Sequence, residues 1–406
     1  MAYWQVSLFA MLLAAAGLPL YIHLPRYATA QMGLDMSTVG GLLIALRAVD
    51  FVQDPFLGRL IDRFPGARAV FAAVAAFGMA VGFLMLFTLP APVDQEARLV
   101  LSLVLVFTAY SLGSILFYGQ SMAFAGSRAG LMRLAGWREA GSLAGIILAA
   151  IAPMAFVLLG AGSGGYPAFG LALACAAILV WLLTRSLWRV TGGEGAALSL
   201  AVLRQSGGLR LLVLALVNSL PVAMTSTLFL FFVEDRLKLP GLAGPYLILF
   251  FLAAGLSVPV WARLTRAIGA RRVLLWAMSL AILSFGGAAL LPEGAALAFG
   301  VICLASGAAL GADMVILPAL FAASLGRAGI QAGQAFGFWS FVGKLALAIA
   351  AALLLPVLDL AGFRAGGENS ATALTTLTLS YAVLPCLLKL VAIWMVARLS
   401  REVDLT

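Results

Sequence analysis

Twelve long, nearly uninterrupted apolar stretches decide what this chain can become. They fall at about 4–24, 38–62, 69–90, 99–124, 138–161, 166–186, 209–233, 242–263, 271–292, 296–323, 333–358 and 372–398. A run of about 20 apolar residues matches the hydrocarbon thickness of a bilayer. Lipid offers no partner to a backbone amide, so each stretch is expected to be a helix. The strands of an outer-membrane barrel would alternate apolar and polar residues, and these runs do not. Composition agrees, with 64% hydrophobic and 10% charged residues, against about 45–50% and about 25% in a soluble domain. One water-soluble core cannot hide that much apolar surface, and a disordered chain would need the opposite composition. The expected fold is an all-α membrane protein of twelve transmembrane helices.

The charges that remain are distributed unevenly. With the N-terminus taken as cytoplasmic, 17 of the 25 Lys and Arg residues fall in inside loops or the tail, Arg68, Arg133, Arg271 and Arg272 among them. Five fall outside: Arg26, Arg98, Arg236, Lys238 and Arg364. The bias predicts both termini inside, in a multi-pass plasma membrane (a bacterial inner membrane), and it explains the net charge of +9 without nucleic acid. The start MAYWQVSLFAMLL carries no basic segment, so the first stretch is expected to be a retained helix rather than a cleaved signal. With one histidine (His23) and three scattered cysteines (Cys175, Cys303, Cys386), neither a disulfide framework nor a metal cluster is expected. An intramembrane enzyme lacks a nucleophile–base pair in this inventory, and no cofactor is expected.

The longest inside connection, 187–208, divides the chain into 1–186 and 209–406, six stretches each. A weak repeat agrees: DPFLGRLIDRFPGARAV follows the second stretch and VPVWARLTRAIGARRVL the eighth. Two pseudo-symmetric six-helix bundles with a site between them form a transporter plan.

The second stretch carries the densest intramembrane charge, in Arg47-Ala-Val-Asp50-Phe-Val-Gln53-Asp54-Pro55-Phe-Leu-Gly58-Arg-Leu-Ile-Asp62-Arg63. Asp50 and Asp54 are one turn apart on a single helical face, within reach of Arg47. A carboxylate at that depth costs about 2.5–3.5 kcal/mol on insertion scales and usually marks an ion or solute path. Hard oxygens suit Na⁺ or Li⁺, and a like-charged pair also favours proton uptake. Gln53 adds an amide oxygen, and Pro55 frees a carbonyl one turn earlier. The plainer alternative is an Arg47–Asp50 pair that merely joins helices. Gly58 with Asp62 and Arg63 lies at the cytoplasmic end and reads as a gate or turn motif.

This string resembles the helix-two signature of the glycoside–pentoside–hexuronide:cation symporters, the melibiose-permease-like branch of the major facilitator superfamily. Two more segments are similar to that family: Tyr118 to Ile146, with Arg133-Leu-Ala-Gly-Trp137-Arg138-Glu139, and Gly333-Gln-Ala-Phe-Gly-Phe-Trp339-Ser-Phe-Val-Gly-Lys344. The resemblance implies the major facilitator fold. It implies a coupling-cation site (Na⁺, Li⁺ or H⁺) at Asp50 and Asp54 with Gln53, and Lys344 as charge partner beside it, joined by Arg47. It also implies a solute cavity reached by Phe117, Tyr118 and Trp339. Arg138 is then either a solute contact or a residue at the cytoplasmic mouth, paired with Glu139 or Asp62.

Two departures limit the carry-over. The sugar-binding aspartates of melibiose-type members fall near Ala14 and Gly113, which offer no polar side chain. Recognition of a galactoside through that constellation is therefore not expected, and the solute is expected to be sugar- or glycoside-like or more apolar. Some relatives carry lysolipid-like molecules. Elsewhere, Asp313 and Asn218 are cavity candidates, with Asp313 equally suited to helix pairing. Lys389 is expected at the periphery, snorkelling to the interface. The expected function is cation-coupled symport of a small solute by alternating access, by a monomer in the bilayer. The alternatives are a proton-coupled exporter or lipid-like transporter and, in a different class, a receptor or scaffold.

Overall fold

The computed structural model describes residues 3–30, 32–34, 36–88, 94–161, 165–189 and 198–399. Within them it leaves out the side chains at 18–23, 25–26, 29–30, 36–38, 40–41, 43–44, 47–48, 50–51 and 128–129. Every extended regular element in it is helical, as continuous apolar runs in lipid require. In chain order the helices are α1 (Tyr3–Ala30), α2 (Met36–Arg63), α3 (Arg68–Phe83), α4 (Gln95–Gly119), α5 (Ser121–Ala125), α6 (Arg128–Leu158), α7 (Tyr166–Thr184), α8 (Leu200–Gln205), α9 (Gly208–Phe231), α10 (Ala243–Ile268), α11 (Ala270–Ala288), α12 (Ala296–Arg327), α13 (Ala332–Leu360), α14 (Ala371–Thr378) and α15 (Leu384–Ala397). Ten helical spans among the described residues are long and apolar enough to cross a membrane. They match the third to twelfth stretches. The first two stretches fall on α1 and α2, which are 28 residues each.

Contacts divide the chain into two compact units, Met1–Leu198 with Gly329–Phe341, and Ser199–Ala328 with Val342–Thr406. In the first, α3 packs on α4 and α7, α1 on α7, and α2 on α4. The second repeats these pairings with α11 on α12 and α15, α9 on α15, and α10 on α12. Each unit has its own aromatic-rich interior, Phe9, Phe83, Phe87 and Phe169 in one and Phe232, Phe299 and Tyr381 in the other.

Lipid is as apolar as leucine, so helices in a bilayer are held by close backbone packing rather than by water exclusion. Three Gly-x-x-x-Gly pairs supply it here. A Cβ on Gly141 or Gly145 of α6 would meet the backbone carbonyl of Ser7 or Met11 in α1. On Gly307 or Gly311 of α12 it would meet the carbonyl of Phe250 or Ala254 in α10. On Gly337 of α13 it would meet the carbonyl of Asp54 in α2, and Gly333 faces Gly58 in the same way. The last pair sets the geometry of the polar site.

Candidate functional site

The approach of α13 to α2 leaves no room for water around Asp54, whose side chain is fully buried. Ser340 of α13 donates its hydroxyl to Asp54 Oδ2 at 2.5 Å, the short end of the range for a hydroxyl on a carboxylate. Gln53 turns the other way: its Oε1 accepts from Thr108 Oγ1 of α4 at 2.9 Å. Neighbours on a helix diverge by about 100°, so α2 divides the two between α13 and α4. Asp54 and Gln53 are thus each paired with a hydroxyl of a different helix within the first unit. Lys344 follows Ser340 by one turn of α13 and is partly buried. Arg47 and Asp50 lie on α2 upstream of Asp54, and their side chains lie outside the described residues, as does that of His23.

Ser340 and Thr108 were not singled out by sequence. The signal for Ser340 was present, since it precedes Lys344 by four and shares its face. Thr108 is one hydroxyl among many in apolar helices, and only the packing of α4 on α2 marks it.

Two turns further along α2, the gate motif takes a definite form. Asp62 accepts from the backbone N–H of Gly333 at 2.9 Å with Oδ1 and of Gln334 at 2.6 Å with Oδ2. These are among the N–H groups that the first turn of α13 leaves without an intrahelical partner. The carboxylate also sits at the positive end of that helix. Asp62 is therefore an N-cap supplied from another helix. Gly58 lets the two backbones come close enough for it. Arg63 takes no part in this contact and lies 5.9 Å from the ring of Phe64. Arg59, Asp62, Arg63, Gln331 and Gln334 line a recess at this end.

A second cluster joins α4, α6 and α13. Arg138 donates from Nε to Glu139 Oε1 at 2.9 Å, both residues being only 4% exposed. Its guanidinium stands 4.4 Å from the ring centroid of Tyr118, a cation–π distance. Tyr118 lies 5.9 Å from Phe336, and Phe336 6.3 Å from Trp339. Of the two partners expected for Arg138, Glu139 is the one it holds here. Phe117 points into the core instead, against Phe9 and Phe124, and is 3% exposed.

The second unit corrects one expectation. Lys389 does not snorkel at the periphery: it is 5% exposed and donates to Asp313 Oδ2 at 2.6 Å and to Asn218 Oδ1 at 2.6 Å. Asn218 Nδ2 donates to the same Asp313 oxygen at 3.0 Å. Nothing local announces this. α15 is apolar on most of its surface, and such a helix has no polar face to betray its orientation.

The sequence model of the family described as MFS/sugar transport protein matches residues 5–401. A bacterial homologue of the iron transporter ferroportin, in an outward-facing state, superposes with a TM-score of 0.74 at 16% identity, covering 97% of this chain and 99% of that one. The E. coli fucose:proton symporter gives 0.65 at 15%, covering 97% and 99%. The human organic anion transporter TETRAN gives 0.66 at 19%, covering 95% and 98%. At these identities the likeness is one of fold alone. No curated protein matches.

Proposed function

We propose, for a chain that belongs to the MFS/sugar transport protein family of membrane transporters, a cation-coupled symporter of a small solute. In this reading twelve spans form two six-helix bundles, both termini are cytoplasmic, and a monomer works by alternating access. The coupling cation, Na⁺, Li⁺ or H⁺, binds at Asp54 and Asp50 with Gln53. Lys344, with Arg47 beside the pair, supplies positive charge when the cation is absent. The observation that carries the reading is Asp54 itself, fully buried within the second apolar stretch and bonded to Ser340 across a glycine-lined helix contact. A scaffold or receptor has no use for so costly a group.

The solute is proposed to be glycoside-like with a substantial apolar part, met by Tyr118, Phe336 and Trp339, with Arg138 as the nearby hydrogen-bond donor. Gly113, near a sugar-binding carboxylate position of the resembled symporters, packs into the core against Leu13, Ala75 and Phe9 and brings no polar group to a solute. Asp62 on the α13 N-terminus serves as the cytoplasmic latch, released when α13 moves. The test is uptake into proteoliposomes under an imposed Na⁺, Li⁺ or H⁺ gradient, across glycosides of graded aglycone size. Accumulation that ignores all three gradients refutes coupling. Solute expulsion driven by an inward proton gradient would identify an exporter instead.

A further inference from the structure

The second unit holds a polar centre for which the proposed symport has no use. Asn218 of α9, Asp313 of α12 and Lys389 of α15 converge there, each at most 6% exposed. Asp313 Oδ2 receives both available donors, the Lys389 ammonium and the Asn218 amide. Asp313 Oδ1 is buried and accepts no hydrogen bond among the described residues. A bridge serving only to hold helices together is expected to use both oxygens, because an unsatisfied buried carboxylate oxygen is costly.

Beside the centre is a cavity of about 40 Å³, lined by Asp313 and Lys389 and otherwise largely apolar, with Phe250 and Phe285 in its wall. A single water needs about 10–15 Å³ of such space, so the cavity has room for a water- or ion-sized guest beside Asp313. Its hydroxyls present acceptors. Thr225 Oγ1 donates to the carbonyl of Val222 and Ser306 Oγ to that of Ile302, which leaves their lone pairs for a guest. Among the lining residues, α10 and α11 bring no charged side chain. The other titratable group on the wall is Cys386, whose Sγ lies 3.7 Å from the Ile282 carbonyl. An apolar wall, two hydroxyl acceptors and one carboxylate suit a small monovalent cation.

We propose that Asp313 is a second small-cation site, separate from Asp54, with the Lys389 ammonium as its resident cation. Na⁺, Li⁺ or a proton takes that place when Lys389 withdraws. Two cations beside one carboxylate repel each other, so lysine and guest exclude one another.

The test uses the full-length chain carrying Asp54→Asn, which disables the proposed coupling site and keeps the two ideas distinguishable. Thermal unfolding is followed as NaCl or LiCl replaces choline chloride at constant ionic strength, and separately as pH is varied. Adding Lys389→Met removes the resident cation. The unfolding midpoint should then rise saturably, by several degrees, with Na⁺, Li⁺ or protons, and whichever acts identifies the guest. Adding Asp313→Asn should abolish the response. A midpoint indifferent to all three cations, or a response that survives Asp313→Asn, overturns the site. If Lys389→Met does not fold, charge displacement after a cation concentration jump is measured in the Asp54→Asn protein. A saturable movement lost on Asp313→Asn supports the site. Its absence, or its persistence after Asp313→Asn, overturns it.

Discussion

At the scale of single residues, the chemistry of this chain concentrates in the few polar side chains that lipid would otherwise reject. Asp54→Asn keeps the size of the side chain and removes its charge, so solute should still bind while cation-driven accumulation disappears. Ser340→Ala removes one positioning hydroxyl. A lost hydrogen bond of this kind costs about 1–3 kcal/mol, or roughly 5- to 150-fold in affinity. That donor steadies the empty, ionised carboxylate, so the cation concentration for half-maximal uptake should fall accordingly without loss of coupling. Unchanged cation dependence in the Ser340→Ala protein would remove Ser340 from the site. Asp54 was legible in the sequence as a candidate, because a carboxylate within an apolar run is costly and marks itself. Its partners were less so. Ser340 contacts Asp54 across 286 positions, and Lys389 contacts Asn218 across 171. No local pattern encodes which faces of such distant helices meet.

At the scale of elements, the stretches gave the helices, and the glycines show how the helices are locked. Gly337 packs against backbone, where nothing flexible can yield, whereas Gly343 on the same helix has open space around its Cα. Gly337→Ala should therefore push α13 away from α2 and destabilise the protein by an amount typical of overpacking, about 1–3 kcal/mol. Gly343→Ala should be close to neutral in the same thermal assay. Equal effects of the two would contradict the close crossing. The latch gives a second element-scale expectation. Loss of a capping carboxylate costs about 0.5–2 kcal/mol, and loss of charge alone at a helix N-terminus about 0.3–1 kcal/mol. Hydrogen exchange at the Gly333 and Gln334 amides should quicken in Asp62→Asn and more so in Asp62→Ala. Identical protection in all three proteins would mean that Asp62 does not cap α13. The sequence marked Asp62 as a gate residue but not its target. A cap borrowed from another helix leaves no signature at the helix it caps.

At the scale of the whole molecule, a symporter is defined by a free energy shared between two ligands. If the cation and the solute favour the same state of the protein, each must tighten the other by one common factor. Couplings of this kind are typically about 1–3 kcal/mol, or roughly 5- to 150-fold. The measurement is a square of four equilibrium affinities on the detergent-purified protein. Cation affinity is taken without and with saturating solute, and solute affinity without and with saturating cation. Symport requires both ratios to exceed one and to agree. In Asp54→Asn the solute should still bind, with an affinity that no longer responds to the cation, because the carboxylate that joins the two ligands is gone. An exchanger built on the same helices would show mutual weakening instead, since each ligand would favour a state the other disfavours. Ratios that disagree would mean the two are not linked through one equilibrium, and the assignment of coupling to Asp54 would fail with them.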